Sequence, residues 1–276
     1  MIINKFEGSG TKTFLILGGI HGNEITPLYT CIKLTKLIEQ SLDESSYKSI
    51  TILNCINNSG IKANTRDIKS NSTQDLNRSF NAIEEINIVK ELETYIKEND
   101  VIIDIHSSPN CTEFLLINQD ENANSYVEFS HEIDIPYLIR FSANNTIKKY
   151  GLDLDKISFT LEINAIDKID YNSSDIGCEY VLGIIENINK FDSRKEYPKY
   201  KSYLEWTYHK GGLFIPKYKN GDIVDIIKGS LIDINTGNTE VINVNLNGKY
   251  QIICDGNKSF LTPNETFYFL QPLEIN

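Results

Sequence analysis

The chain has 276 residues, 40% hydrophobic and 24% charged, an ordinary composition for a folded protein with a sizeable core. Lysine and arginine number 27 against 38 acids, and the formal net charge of −11 disfavours nucleic acid and anionic membranes as partners. A small anionic substrate stays compatible where arginines cluster, and the arginines are few: Arg66, Arg78, Arg140 and Arg194.

"TFLILGG" (13–19) is short, apolar and closed by two glycines, which predicts a buried strand. "TPLYTCIKLTKLIEQSL" (26–42) carries apolar residues at helical spacing, with Pro27 in its first turn. "SITILNCIN" (49–57) predicts a second strand. Residues 58–80 read as a long polar loop, a length that compact domains keep for function. "EEINIVKELETYIKEN" (84–99) is an amphipathic helix with Ile86, Ile88, Val89, Leu92 and Ile96 to one side. Strands are expected at 101–108, 113–118, 135–141 and 157–164, then a helix at 174–191. This alternation argues for an α/β layer with a mostly parallel or mixed sheet. After about residue 195, short apolar stretches are punctuated by Gly-Gly, Asn-Gly, Lys-Gly, Thr-Gly and Asp-Gly pairs, the pattern of a small antiparallel β domain. The expected division is 1–195 and 196–276.

Cys31, Cys55, Cys111, Cys178 and Cys254 are widely spaced, contain no C-x-x-C pair and read as reduced thiols. The opening "MIINKFEGSGTK" has no apolar leader, and no run nears the ~18 apolar residues of a membrane span. A cytoplasmic location is expected.

His21 and Glu24 follow the first strand in the turn "HGNE". His21 is either a turn histidine at a helix start or a metal ligand, and ligand sites gather at the carboxyl ends of strands in open α/β sheets. His106 ends "VIIDIH" at the same kind of position. A catalytic zinc takes three protein ligands and keeps a fourth position open, and His21, Glu24 and His106 supply such a set. His131 and His209 lack that setting and read as surface or structural residues. Arg66 in "KANTRD" and Arg78 in "QDLNRSF" share one loop, with Asn77 beside Arg78. They are surface charge, or a site for a carboxylate and a developing oxyanion. Glu162 lies between Leu161 and Ile163 in a strand. It either faces outward, or is the general base for water beside the metal.

Taken together, G-G-I-H-G-N-E, R…D-L-N-R-S-F, D-I-H and a strand glutamate resemble the aspartoacylase and succinylglutamate desuccinylase family, of the zinc carboxypeptidase clan, over roughly residues 13–164. "GGLFIPKYKNGDIV" resembles the opening of the family's C-terminal β domain, and "NETFY" the segment bearing its substrate-contacting tyrosine, here Tyr268. The resemblance implies a zinc-carboxypeptidase-like mixed sheet with flanking helices, plus a smaller C-terminal β domain covering the site. It implies one zinc per chain on His21, Glu24 and His106, with Glu162 as general base. Arg78 with Asn77 would hold the substrate's α-carboxylate, Arg66 would polarise the scissile carbonyl, and Tyr268 would reach in from the second domain. Asp104 either supports His106 or is structural.

Two departures bear on substrate. Asn164 stands where the family often has glycine, and "KKYGLDLDK" replaces an arginine that binds a side-chain carboxylate, leaving Lys148, Lys149 or Arg140 for that role. The implied activity is zinc-dependent hydrolysis of the acyl amide of a small anionic N-acyl amino acid. A metallocarboxypeptidase acting on a small peptide, and a non-catalytic binding protein on the same fold, are the alternatives. Homo-oligomerisation is left open.

Overall fold

The structure is a computed structural model and describes residues 1–69, 73–82, 86–119, 123–140, 143–192, 200–255, 260–261, 263–264 and 266–273. In chain order the first part runs β1 (Ile2–Glu7), β2 (Thr13–Gly18), α1 (Ile25–Ser41), β3 (Ser49–Asn54), α2 (Asn58–Ala63), β4 (Ile68–Lys69), β5 (Thr73–Gln74), α3 (Asn87–Glu98), β6 (Val101–Ser108), β7 (Phe114–Asn118), α4 (Ala123–Glu132), β8 (Tyr137–Arg140), α5 (Ile147–Asp153), β9 (Ile157–Asn164) and α6 (Tyr171–Asn187). The second part holds β10 (Leu204–Thr207), β11 (Gly212–Pro216), β12 (Ile223–Ile232), β13 (Thr239–Asp255), β14 (Phe260–Leu261) and β15 (Thr266–Pro272).

Seven strands form a mixed sheet in the order β1-β3-β2-β6-β9-β7-β8. Its centre, β3, β2, β6 and β9, is parallel, while β1 and β7 join antiparallel to their inner neighbours. Helices cover both faces of such a sheet, so its central strands read as near-continuous apolar runs. Side chains nevertheless alternate between faces. Phe14, Ile16, Ile103, Ile105, Phe159, Leu161 and Ile163 pack with residues of α1, α4 and α6. Leu15, Leu17 and Ile102 pack with Val89, Leu92 and Ile96 of α3 and Ile147 and Tyr150 of α5. On that second face β6 continues from Ile102 to Asp104, His106 and Ser108, and β9 runs Ser158, Thr160, Glu162 and Asn164. The polar ends of these two strands therefore share one face.

The C-terminal part is a separate six-stranded antiparallel sheet in the order β10-β15-β13-β12-β11-β14, with its own core of Trp206, Phe214, Ile227, Ile252, Phe267 and Tyr268. Not every glycine pair there is a turn. Asn220-Gly221 and Thr236-Gly237 carry the positive φ of turns, whereas Lys228-Gly229 lies within β12. A Cβ on Gly229 would sit 2.4 Å from Phe214 Cε2, so this glycine makes room for an aromatic ring.

The segment 58–80, expected as a loop, contains α2, the β4–β5 pair and a short 3₁₀ turn over Leu76–Arg78. Asn57 and Asp75 start the two helical pieces, their side chains accepting from Gly60 N and Asn77 N at 2.9 and 2.8 Å. Polar capping residues dominate this composition, which hid the helices from a periodicity reading. The structure also adds β1 and α5, and Cys55, at φ +55°, ends the second strand at Asn54. All five cysteines are reduced thiols. Among the described residues no helix is long and apolar enough to cross a membrane. Arg194 lies outside the described residues, as does the expected boundary near 195.

Candidate metal centre and active site

Because β2, β6 and β9 are parallel, their carboxyl ends open on one edge. The turn after β2 is held by backbone contacts that its glycines permit. A Cβ on Gly22 would fall 2.1 Å from the carbonyl carbon of Gly60, so the turn lies directly on α2. Gly22 N donates to the carbonyl of Arg66 at 3.2 Å, and Asn57 Nδ2 to the same oxygen at 3.1 Å. The segment read as a loop thus clamps the turn and fixes Arg66 beside it.

Glu24 occupies the N-cap position of α1, yet its side chain makes no capping bond. It turns inward. Its Oε1 lies 2.7 Å from His21 Nδ1, and its Oε2 accepts from Ser107 N at 2.9 Å and lies 3.1 Å from His106 Nδ1. The two Nδ1 atoms are themselves 3.1 Å apart. One ligand atom from each of His21, Glu24 and His106 lies within 4.8 Å of the others, and all three residues are buried. Two imidazoles and a carboxylate converging in this way are a donor set for a divalent cation.

The outward-facing ring nitrogens are held too. His21 Nε2 lies 3.1 Å from Asp75 Oδ1, and His106 Nε2 lies 2.7 Å from Asp104 Oδ2. A carboxylate on Nε2 keeps the proton there and leaves Nδ1 as the electron-pair donor. The field agrees with the geometry. Burial by itself would raise the Glu24 carboxyl, but His106 and His21 outweigh it and hold Glu24 well below the usual carboxylate range. Asp75 is treated alike, with burial outweighed by His21, Arg66 and Arg78. Burial would lower His106, and Asp104 and Glu24 instead raise it well above its ordinary value. The pocket attracts positive charge, which fits a metal.

A cleft of about 190 Å³ opens over this cluster, lined in part by Arg66, Asn77, Arg78, Ser108, Lys148 and Glu162. That is below the ~300–1,000 Å³ of drug-sized ligand sites. Glu162 is the strand neighbour of His106 in register, is half-buried, and accepts from Ser108 Oγ at 2.7 Å. Arg66 Nη1 donates to Glu24 Oε1 at 3.3 Å, and its Nε donates to Asp75 Oδ2 at 3.2 Å. Arg78 Nη1 donates to the carbonyl of Asn77 at 2.6 Å. Asn77 is committed inside, its Oδ1 accepting from Ile147 N at 2.8 Å and its amide nitrogen 3.0 Å from His106 Nε2.

Of the candidates for a second carboxylate, Lys148 lies in the cleft wall, buried, bonded to the Leu116 carbonyl and 5.3 Å from the Tyr126 ring centroid. Lys149 pairs with Asp153 on the outer surface. The Arg140 side chain lies outside the described residues. His131 and His209 are exposed, one edge-on to Tyr137 and the other tilted against Tyr208. Tyr268 is not brought to the cleft. It is buried in the aromatic core of the C-terminal sheet against Trp206 and Phe267. The described cleft lining runs from His21 to Glu162, so the cover expected from the second domain is not made by described residues. That sheet docks at the side, where Gln271 Oε1 accepts from Ile139 N at 2.9 Å and Asn220 Nδ2 donates to Asn110 O at 2.7 Å. Asp75 and Ser108 join the candidate site as residues outside the sequence-predicted set. Asp75 was signalled by its place in "QDLNRSF", while nothing marked Ser108.

The fold and cluster define an α/β protein with a prospective metal centre at the carboxyl edge of its parallel strands. Residues 10–188 match the model of the succinylglutamate desuccinylase/aspartoacylase catalytic domain. The chain belongs to that family. A comparison with curated proteins by sequence finds no match. Among solved structures it is similar to an aspartoacylase family protein from Mesorhizobium loti, at TM-score 0.72 and 17% identity over 99% of this chain and 89% of that one. It is similar to a succinylglutamate desuccinylase/aspartoacylase from Rhodobacter sphaeroides, at 0.68 and 15% over 98% and 88%. The product-bound ectoine utilization protein of Ruegeria pomeroyi matches at 0.68 and 12%, over 98% and 88%.

Proposed function

We propose that the protein is a zinc-dependent deacylase that hydrolyses the acyl amide of a small anionic N-acyl amino acid, releasing a carboxylate and the free amino acid. The observation that carries this reading is the convergence of His21, Glu24 and His106 beside Glu162, in a small cleft that also holds Arg66 and Arg78. His21 and His106, through Nδ1, and Glu24 would hold the zinc, with Asp75 and Asp104 orienting the two rings. A zinc ion there would supply Lewis acidity, polarising the acyl carbonyl and lowering the pKa of the attacking water toward ~7.

The chain's own groups do the rest. Glu162, on the strand next to His106, takes the proton of the attacking water and then delivers it to the leaving amine. Ser108 fixes which carboxylate oxygen is free for that work. Arg66 stands against Glu24, where its guanidinium reaches the developing oxyanion. Arg78 holds the α-carboxylate, and Asn77, whose Oδ1 accepts from Ile147 N, positions the wall behind it. A buried lysine at the far wall, Lys148, leaves that end of the cleft able to take a second acidic or polar group.

We also propose that residues 1–195 and 196–276 act as two domains, a division supported by their separate sheets and cores. The test of the function is a mass-spectrometric screen of N-acyl amino acids against zinc-loaded protein. Acid and amine released in equal amounts from a substrate of this class supports the reading. Cleavage confined to peptides would favour the carboxypeptidase alternative, and turnover of neither would leave a binding protein.

A further inference from the structure

The two sheets meet through a pair of cysteines. Cys111, three residues beyond β6, forms an isolated antiparallel bridge with Cys254 of β13. Beside it Thr112 N donates to the carbonyl of Ile253 at 3.0 Å. A bond flanking the pair in this way marks the non-hydrogen-bonded type, in which opposed Cα atoms approach to about 4.5 Å and side chains lie closest. That spacing falls inside the ~4.4–6.8 Å that a disulfide spans, near its short end. Both thiols lie against the carbonyls of one turn, Cys111 Sγ 3.2 Å from Ser108 O and Cys254 Sγ 3.6 Å from Pro109 O and 3.3 Å from Asn110 O. Cys111 is buried and Cys254 half-buried, so only the second is open to a reagent in solution.

We propose that Cys111 and Cys254 form a redox-active pair that closes to a disulfide, stapling the C-terminal sheet to the turn that follows Ser108. The oxidant is a low-molecular-weight disulfide. The Cys254 thiolate attacks one of its sulfurs, forms a mixed disulfide and expels one thiolate. Cys111 Sγ then attacks Cys254 Sγ and expels the second. Two protein thiols lose two electrons and two protons, and one small disulfide becomes two thiols. The same exchange run in reverse by a small thiol reopens the bond. The place gives the bond a consequence. Cys111 Sγ donates to the carbonyl of Ser108 at 3.2 Å, and the Ser108 hydroxyl holds Glu162. Nothing in this proposal depends on the reaction assigned above.

The test uses the full chain loaded with zinc and incubated with excess oxidised glutathione at mildly alkaline pH. Remaining thiols are blocked, and the digest is mapped by mass spectrometry without reduction. The expected result is a Cys111–Cys254 linked peptide pair, two hydrogens lighter than its separate parts and restored by dithiothreitol. Cys111→Ser should stop at a stable glutathione adduct on Cys254. Wild-type protein that shows no such link, or that keeps the glutathione adduct on Cys254 with Cys111 present, overturns the proposal. The wild-type map alone decides it should the variant fail to fold.

Discussion

Replacing Asp104 by asparagine tests whether this chain prepares His106 as a metal ligand. Asp104 is buried, and its Oδ2 lies 2.7 Å from His106 Nε2. Hydrogen bonds to a charged partner contribute about 1.5–3 kcal/mol and neutral ones about 0.5–1.5. An asparagine at this position could still accept from Nε2 through its amide oxygen, so the tautomer survives and the charge is lost. The difference, about 1–2 kcal/mol, corresponds to a zinc Kd raised roughly 5- to 30-fold. Asp104→Ala leaves the ring nitrogen without its carboxylate, and about 100-fold is expected, the upper end for partners that orient a ligand. The assay is chelator competition for zinc at fixed pH, with far-UV circular dichroism of the metal-free variants as the check on folding. An unchanged Kd in Asp104→Asn would falsify the idea that this carboxylate prepares His106. A loss equal to that of Glu24→Gln would make Asp104 itself a ligand.

Other outcomes follow from the same geometry. Ser108→Ala removes the 2.7 Å bond to Glu162 and should lower kcat about fivefold, roughly 1 kcal/mol, with zinc content unchanged in elemental analysis. Arg78→Ala should cost about 1.5–3 kcal/mol in kcat/KM, and an α-amide substrate should lose little further rate in that variant; equal rates on acid and amide in the wild type would contradict the assignment. Gly22→Ala forces a Cβ to within 2.1 Å of Gly60, so denaturant titration should find at least ~1–3 kcal/mol lost, together with weaker zinc binding. In metal-free protein His106 is raised above its ordinary value, so its proton stabilises the fold fully below an unfolded pKa of ~6.5. That contribution is lost as pH rises through the raised folded value, and Tm of the metal-free protein should fall over this span while His106→Gln flattens the trend. Zinc uptake at neutral pH should release the same proton, measurable as a buffer-dependent enthalpy in calorimetry.

The central strands were legible because burial on both faces leaves little freedom, and "ISFTLEIN" was expected and found over Ile157–Asn164. The same burial made the candidate site legible, since Asp104, His106 and Glu162 interrupt strands that are otherwise apolar. What escaped was short or polar. α2 has six residues and α5 seven, too few for a 3.6-residue period to declare itself, and α2 is started by Asn57 rather than by an apolar face. β1, an edge strand with an exposed and half-buried pattern, carries no strong signal either. Tyr268 fails for another reason. A tyrosine in "NETFY" can face either side of its strand, and here the side chain enters the core with Trp206. Asp75 could have been read from its two-residue spacing to Asn77. Ser108 could not, because only the pairing of β6 with β9 brings it to Glu162.

In the proposed mechanism Glu162 acts on a water while His21, Glu24 and His106 hold the metal, and Glu162→Gln separates the two. Glutamine keeps the size and the bond from Ser108 but cannot take a proton. Turnover of the best N-acyl amino acid found in the screen should fall at least ~10²–10⁴-fold in the zinc-loaded variant, with one zinc per chain retained. Wild-type turnover in Glu162→Gln at full zinc occupancy would contradict the account.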